Sequence, residues 1–199
     1  MNDKKEMVAL SLFSNIGIAE TYFKDLGIRV AVANELFPER AGFYEHLYPD
    51  TNMICGDITD KSTFEQVKEE ALKAKVNLLI ATPPCQGMSN AGTKNPVDER
   101  NYLIYYAVEM IKAVQPDYVI LENVYMITKY KINFNGKEML IPSYIEEELG
   151  DLYTFNDNRI INSIPCNLIC QQRMFLSLCR YQQFLCSIYF IISLVQMVL

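Results

Sequence analysis

The chain has little that would hold nucleic acid by charge alone: its 199 residues carry 18 Lys and Arg against 24 Asp and Glu, a net charge of -6. Phosphate neutralisation needs clustered cations, which disfavours a stand-alone nucleic-acid binder; if a duplex is the substrate, basic docking surface is missing here. Histidine is nearly absent. The single one, His46, falls in a helical pattern ending at Pro49 and reads as a surface or helix-end residue, not a catalytic base. The charged start, residues 1–6, precedes only a short apolar run and lacks the core of a secretory signal, which predicts a cytoplasmic protein. A membrane span needs about 20 apolar residues. The longest run, 184–195, is shorter and broken by Ser187 and Ser193, with Gln196 beyond it, so no membrane partner is expected. Of six cysteines, Cys55 and Cys85 stand alone while Cys166, Cys170, Cys179 and Cys186 crowd the end. The C-x3-C of Cys166 and Cys170 has no matching His or Cys pair, so reduced thiols are expected and no metal site.

What is present suits one α/β domain. Half the residues are hydrophobic, enough for one core and little more. Short, often β-branched apolar runs at 8–13, 28–33, 52–55, 76–81 and 118–121 read as buried parallel strands. Between them, 18–26, 38–47, 62–75 and 102–114 carry apolar residues at helical spacing, with Ser62 and Glu65 as a capping-box signature. Strand alternating with helix predicts a mostly parallel sheet flanked by helices with right-handed crossovers. Further on, 133–137 reads as a turn, 143–149 as a short helix closed by Gly150, and 159–164 as one more strand. The end is compositionally different: nothing after Asp157 is acidic, no Lys follows Lys137, and the last apolar run is almost unbroken.

In an open parallel sheet, ligands collect beyond the carboxyl ends of the strands, so the residues after each strand deserve inspection. The first strand leads into Phe13-Ser14-Asn15-Ile16-Gly17, with one glycine where a dinucleotide fingerprint has three; a plain strand-to-helix turn is the alternative. Glu35 closes the second strand about twenty residues on, the spacing at which a carboxylate accepts from ribose hydroxyls, unless it is merely a solvated strand end. The third strand ends in Cys55-Gly56-Asp57-Ile58, where an Asp can accept from an adenine amino group and an apolar neighbour can cover the ring, or the Asp can cap the next helix. The fourth ends in Thr82-Pro83-Pro84-Cys85-Gln86-Gly87. The prolines stiffen this loop and fix where the Cys85 thiol points, which suits a nucleophile better than a packing residue. The fifth ends in Glu122-Asn123-Val124, placing a carboxylate beside Cys85 if the fourth and fifth strands are neighbours; burial would give it reason to hold a proton.

Together these segments resemble the DNA cytosine-5 methyltransferases of type II restriction-modification systems, whose hallmarks are a Pro-Cys-Gln loop and a Glu-Asn-Val strand end in this order. Here they are Pro84-Cys85-Gln86 and Glu122-Asn123-Val124, and the likeness extends over residues 8–163, through Asp98-Glu99-Arg100 and Gln115-Pro116-Asp117. The resemblance implies a Rossmann-like S-adenosylmethionine-dependent methyltransferase fold. It implies that the donor lies against Phe13, Ser14, Asn15 and Gly17, with Glu35 on its ribose, Asp57 and Ile58 on its adenine, and Pro84 and Leu103 lining the pocket. It implies double-stranded DNA as partner, with Cys85 adding to C6 of a flipped-out cytosine and Glu122 supplying a proton or hydrogen bond at N3. Asn15 departs from the family, standing where the first glycine of the loop is usual, although Asn tolerates left-handed backbone.

The end departs further. Gln171-Gln172-Arg173-Met174-Phe175 reproduces only the first part of the family's substrate-contacting Gln-x-Arg-x-Arg, so Arg173 is the last catalytic candidate and Phe175 replaces the second arginine. Residues 1–163 are expected to form the catalytic domain. Residues 164–199 are expected to be an atypical apolar tail, out of frame or truncated, with no target-recognition domain unless a second chain supplies one. Little turnover by the isolated chain is the consequence. A transfer-RNA cytosine-5 methyltransferase and a non-catalytic donor-binding or partner-binding fragment are the rival functions.

Overall fold

The computed structural model describes residues 6–84, 102–155, 159–162 and 172–179. Five strands, β1 (Met7–Leu12), β2 (Ile28–Glu35), β3 (Asn52–Cys55), β4 (Leu78–Ala81) and β5 (Tyr118–Val124), pair in parallel in the order β3-β2-β1-β4-β5. The order reverses at β1, which puts the switch point between β1 and β4. The expected strands are all present, β2 and β5 running longer at their carboxyl ends, so that Glu35 and Glu122 lie inside the ladder's last turn of residues.

Helices α1 (Pro38–Leu47), α2 (Lys61–Lys73), α3 (Leu103–Val114) and α4 (Ile141–Leu149) supply the cover. Pro38 and Pro142 sit in the first turns of α1 and α4, where a missing N–H costs nothing. α3 stops at Gln115, whose left-handed φ of 51° precedes Pro116. The capping box expected at Ser62 does not form: α2 begins a residue earlier with Asp60 as N-cap, and Glu65 pairs with Lys68 instead.

Alternation along the strands divides the core into two layers. Leu10, Leu12, Leu79, Val119 and Leu121 face the layer that holds Val67, Ala71, Ile104, Ile111 and Ile145. Ala9, Leu78, Ile80 and Ile120 face the other, smaller layer around Phe23. A bulge, where Ala9 pairs Val30 but Leu10 pairs Val32, shifts the side chains of β2 between faces: Val30 joins the smaller layer and Val32 the larger.

The segment expected as a helix over 18–26 is instead a succession of tight turns. Its amides bond three residues back, as Phe23 N–H to Glu20 O and Gly27 N–H to Lys24 O. Two side chains oppose a regular helix there: the Thr21 hydroxyl donates to Ile18 O, and Glu20 is drawn inward to Ser11.

Beyond β5, a short 3-10 turn (Tyr125–Lys129) leads to a hairpin of β6 (Lys131–Phe134) and β7 (Lys137–Leu140), so the expected turn at 133–137 is the tip of a strand pair, with Asn135 and Gly136 both at positive φ. Three strands then extend the sheet: β8 (Thr154–Phe155), β9 (Arg159–Asn162) and β10 (Gln172–Cys179), the last antiparallel to β5 over seven residues. β10 lies wholly within the stretch expected to be a tail. No helix among the described residues is long and apolar enough to cross a membrane.

Candidate active site at the strand tips

The carboxyl ends of the five parallel strands are tied to one another by side chains bonding backbone. The Thr82 hydroxyl, just past β4, donates to Phe13 O past β1 at 3.0 Å, and the Thr82 amide donates to Leu12 O. Ser14 donates through both its amide and its hydroxyl to Asn34 O of β2. Asn34 in turn donates through Nδ2 to Ile54 O and Gly56 O, at 2.9 and 3.0 Å, securing β3. Asn123 of β5 donates to Pro83 O at 3.0 Å in a buried contact that fixes the start of the loop after β4. Neither Thr82 nor Asn34 stands out in the sequence, since a Thr or Asn at a strand end has no signature until its partners are known.

These ties hold the loop after β1 in an unusual path. Phe13, Asn15 and Gly17 have φ of 57°, 52° and 81°, so Asn15 does adopt left-handed geometry. For Phe13 that conformation costs about 1–2 kcal/mol, which the flanking bonds at Leu12, Phe13 and Ser14 offset. Gly17 lies directly on the rings of Tyr44 in α1 and of Tyr48, the residue that caps it: a Cβ there would collide with the Tyr48 ring and stand 3.1 Å from Tyr44, and the Tyr48 hydroxyl donates to Gly17 O at 2.7 Å. Any side chain there would have to displace the Tyr48 ring and hold a strained left-handed backbone.

Glu35 is 5% exposed, and both carboxylate oxygens accept from backbone: Oε2 from the Asn15 amide at 2.9 Å and Oε1 from the Phe37 amide at 3.0 Å. Arg40 approaches Oε1 at 3.9 Å and stacks over the Phe37 ring. Glu35 therefore anchors the β1 loop to β2 and is no solvated strand end. Next to it Leu36 and Phe37 are each 48% exposed, an apolar surface at the tip of β2 that has no motif to announce it. Asp57 is half-buried and its Oδ1 accepts from the Thr59 amide at 2.9 Å, while Ile58 is 3% exposed and belongs to the larger core. Leu103, at the first turn of α3, and Phe13 are partly buried against the same core, and Pro84 is half-buried.

On the other side of the switch point, Ala81 pairs Leu121, so Glu122 lies one step past the end of β4. Glu122 is 7% exposed and engaged in the structure. Cys85 lies outside the described residues. In β10 the backbone of Arg173 is in register with Val124 and that of Phe175 with Glu122, which brings the degenerate Gln-x-Arg segment alongside the Glu-Asn-Val tip.

A second buried carboxyl lies under the β1 loop. Glu20 is 1% exposed, accepts from the Ser11 hydroxyl, and burial pushes its pKa up to about 7. Burial, then Glu20 itself, raises the Tyr44 and Tyr48 hydroxyls too.

A parallel sheet reversing at β1, with an antiparallel strand beside β5, is the architecture of S-adenosylmethionine-dependent methyltransferases. It is similar to a DNMT2 variant from Spodoptera frugiperda (TM-score 0.65, 17% identity, covering 89% of this chain and 51% of that one) and to Dnmt2 of S. pombe (TM-score 0.63, 16% identity, 88% and 50%). The profile of the C-5 cytosine-specific DNA methylase family matches residues 7–173, and the chain belongs to that family. The type II methyltransferase M1.HgaI of Avibacterium volantium is 43% identical over 155 residues, 75% of this chain and 43% of the relative. The type II methyltransferase M.AquIA of Picosynechococcus is 35% identical over 123 residues, 60% of this chain and 49% of that one. The chain thus spans less than half the length of these curated relatives.

Proposed function

We propose that these residues carry the donor-binding and catalytic half of a DNA cytosine-5 methyltransferase, in which Cys85 attacks cytosine while S-adenosylmethionine sits at the tips of β1 to β3. The observation that supports it best is the set of ties described above, which fix a glycine-backed loop, a buried carboxylate and the Glu122 tip around one switch point. The residues fit the donor. Glu35 spends one lone pair of each oxygen on backbone, leaving acceptor capacity for ribose hydroxyls. Asp57, half-buried, retains an oxygen for an amino group, and exposed Leu36 and Phe37 with half-buried Phe13 offer apolar surface for a flat ring, Ile58 backing it from within the core. Phe13, Ser14, Asn15, Gly17, Glu35, Asp57, Ile58, Pro84 and Leu103 remain the proposed donor contacts.

The donor supplies an electrophilic methyl group, but C5 of cytosine is a weak nucleophile. The Cys85 thiolate adds to C6, forming a carbon–sulfur bond and driving ring electrons toward C5. Glu122 meets the charge arriving at N3 with a proton or a short hydrogen bond, for which a buried carboxyl suits. After methylation, loss of the C5 proton to a base expels Cys85 and restores the ring. Arg173 is proposed to contact the substrate. Because C6 must be approached perpendicular to the ring, the base is extruded from the duplex. The part of the protein that reads the sequence is not recognisable in these 199 residues, so we expect them alone to methylate duplex DNA poorly; ready turnover on duplex DNA would refute that.

The test separates donor from chemistry. Calorimetric titration with S-adenosylmethionine should show one site, abolished by Gly17→Val. A single-stranded oligonucleotide containing 5-fluorocytosine, in which no base needs flipping, should form a covalent adduct with the chain in the presence of donor and none with Cys85→Ala. Donor binding without any adduct would leave a non-catalytic binding module, and absence of both would sink the proposal.

A further inference from the structure

Glu20 has no part in the chemistry above, yet it is the most deeply buried carboxyl described. Its Oε1 takes the Ser11 hydroxyl of β1, while Oε2 and the Tyr44 hydroxyl are each buried without a partner among the described residues. No lysine or arginine among the described residues pairs with it. The titratable groups that bear on it are Tyr44 of α1 and Tyr48 at its C-cap, and β1 offers only Ser11. Those same two tyrosines, with rings 4.6 Å apart, form the shelf on which Gly17 lies. Glu20 is three residues beyond Gly17, and its own amide donates to Gly17 O, the carbonyl that also takes the Tyr48 hydroxyl.

We propose that Glu20 is a positioning residue for the donor loop that works in its protonated form: neutral, it lets the Tyr44 and Tyr48 shelf carry Gly17, and ionised, it puts an uncompensated charge under that shelf and releases the loop. The inference rests on the reading that this loop holds S-adenosylmethionine. Its physical basis is that a buried carboxylate short of hydrogen-bond donors is costly, whereas the neutral acid has a proton to give and one fewer acceptor to satisfy. Proton loss from the bottom of the loop is thereby coupled to donor affinity at its top, and by linkage the affinity falls up to about tenfold per pH unit once ionisation opposes binding.

The test is the affinity of the full chain for S-adenosylmethionine, and for S-adenosylhomocysteine as a chemically inert probe, across about pH 6 to 8.5. For the unmodified chain, affinity should fall by roughly tenfold or more over that range. Glu20→Gln, which keeps shape and is permanently neutral, should bind as well as the unmodified chain at low pH and lose the dependence. Glu20→Ala should bind weakly at every pH. The carboxyl carbon of Glu20, followed by NMR on 13C-glutamate-labelled protein and assigned with the Gln variant, should titrate near neutrality. Binding that is indifferent to pH and to Glu20→Ala, or a carboxyl that titrates in the ordinary range of glutamate, overturns the inference and leaves the donor reading standing. Absence of donor binding at any pH overturns both.

Discussion

The two sides of the switch point are built on the same plan and expose different risks. On the β1–β3 side, the proposed donor site is spread over backbone: Ser14, Asn34 and Glu35 bond main-chain groups, and the loop at Asn15 and Gly17 is shaped by φ and by what lies beneath it. On the β4–β5 side, Asn123 and Thr82 hold the frame, but the proposed chemistry is asked of single groups, Cys85 and Glu122. A binding surface assembled from many amides should degrade gradually under mutation, whereas a nucleophile or a proton donor has no understudy.

The sharpest contrast is therefore Glu122→Gln. The amide keeps shape and can donate a weak hydrogen bond but no proton, so adduct formation on 5-fluorocytosine should slow by about 10²–10³. Calorimetry should show S-adenosylmethionine binding almost unchanged. A comparable loss of donor affinity would mean that the two sides are not separable and that Glu122 serves the frame.

Next in size is the pH dependence of stability that Glu20 imposes. Its folded value of about 7 lies above the ordinary 4.5, so between these pH values the native state keeps a proton the unfolded chain has released. Stability from this group is full below about pH 4.5, is lost as pH rises toward 7, and is level above it, a change of roughly 3 kcal/mol. Denaturant unfolding at several pH values should show this decline, and Glu20→Gln should flatten it. An undiminished dependence in the Gln variant would assign the slope to other groups.

Much of this comparison is legible in the sequence, but unevenly. All five parallel strands announce themselves as buried, β-branched apolar runs. Cys85 and Glu122 are singled out as site candidates because a Pro-Cys-Gln loop and a Glu-Asn-Val end are rare for packing alone, Cys85 itself lying outside the described residues. Glu35 is visible by spacing, although that both its oxygens hold backbone is a matter of three-dimensional position. The helix expected at 18–26 fails because periodicity cannot register a carboxylate pulled sideways: Glu20 looks like a solvated helical residue until Ser11 and Tyr44 are seen beside it. The capping box at Ser62 fails for a smaller reason, since Asp60 sits two residues earlier with suitable extended backbone. β10 escapes notice because a sequence short of charge reads as a foreign tail, yet an inner strand covered on both edges, as this one is by β5 and β8 or β9, has little need of charge.

On the β1–β3 side, Glu35→Ala should strand the Asn15 and Phe37 amides and remove the proposed ribose acceptor. The expected loss is about 1–3 kcal/mol in S-adenosylmethionine affinity, read by calorimetry, with adduct formation at saturating donor far less affected. Equal damage to adduct chemistry would tie Glu35 to the frame of the whole site.

The smallest effect belongs to Asn15, the residue that replaces a usual glycine. What the loop asks of this position is a left-handed φ of 52° and an amide for Glu35; the side chain is exposed. Asn15→Gly supplies both, trading relief of backbone strain against about 0.5–1 kcal/mol of extra chain entropy, so melting temperature and donor affinity should barely move. Asn15→Val keeps the amide but places a β-branched side chain in left-handed backbone, which costs about 1–2 kcal/mol and should lower both. If Gly instead improved donor affinity tenfold or more, the asparagine would be a brake on binding, and the loop would have to be reread as one tuned to hold its ligand weakly.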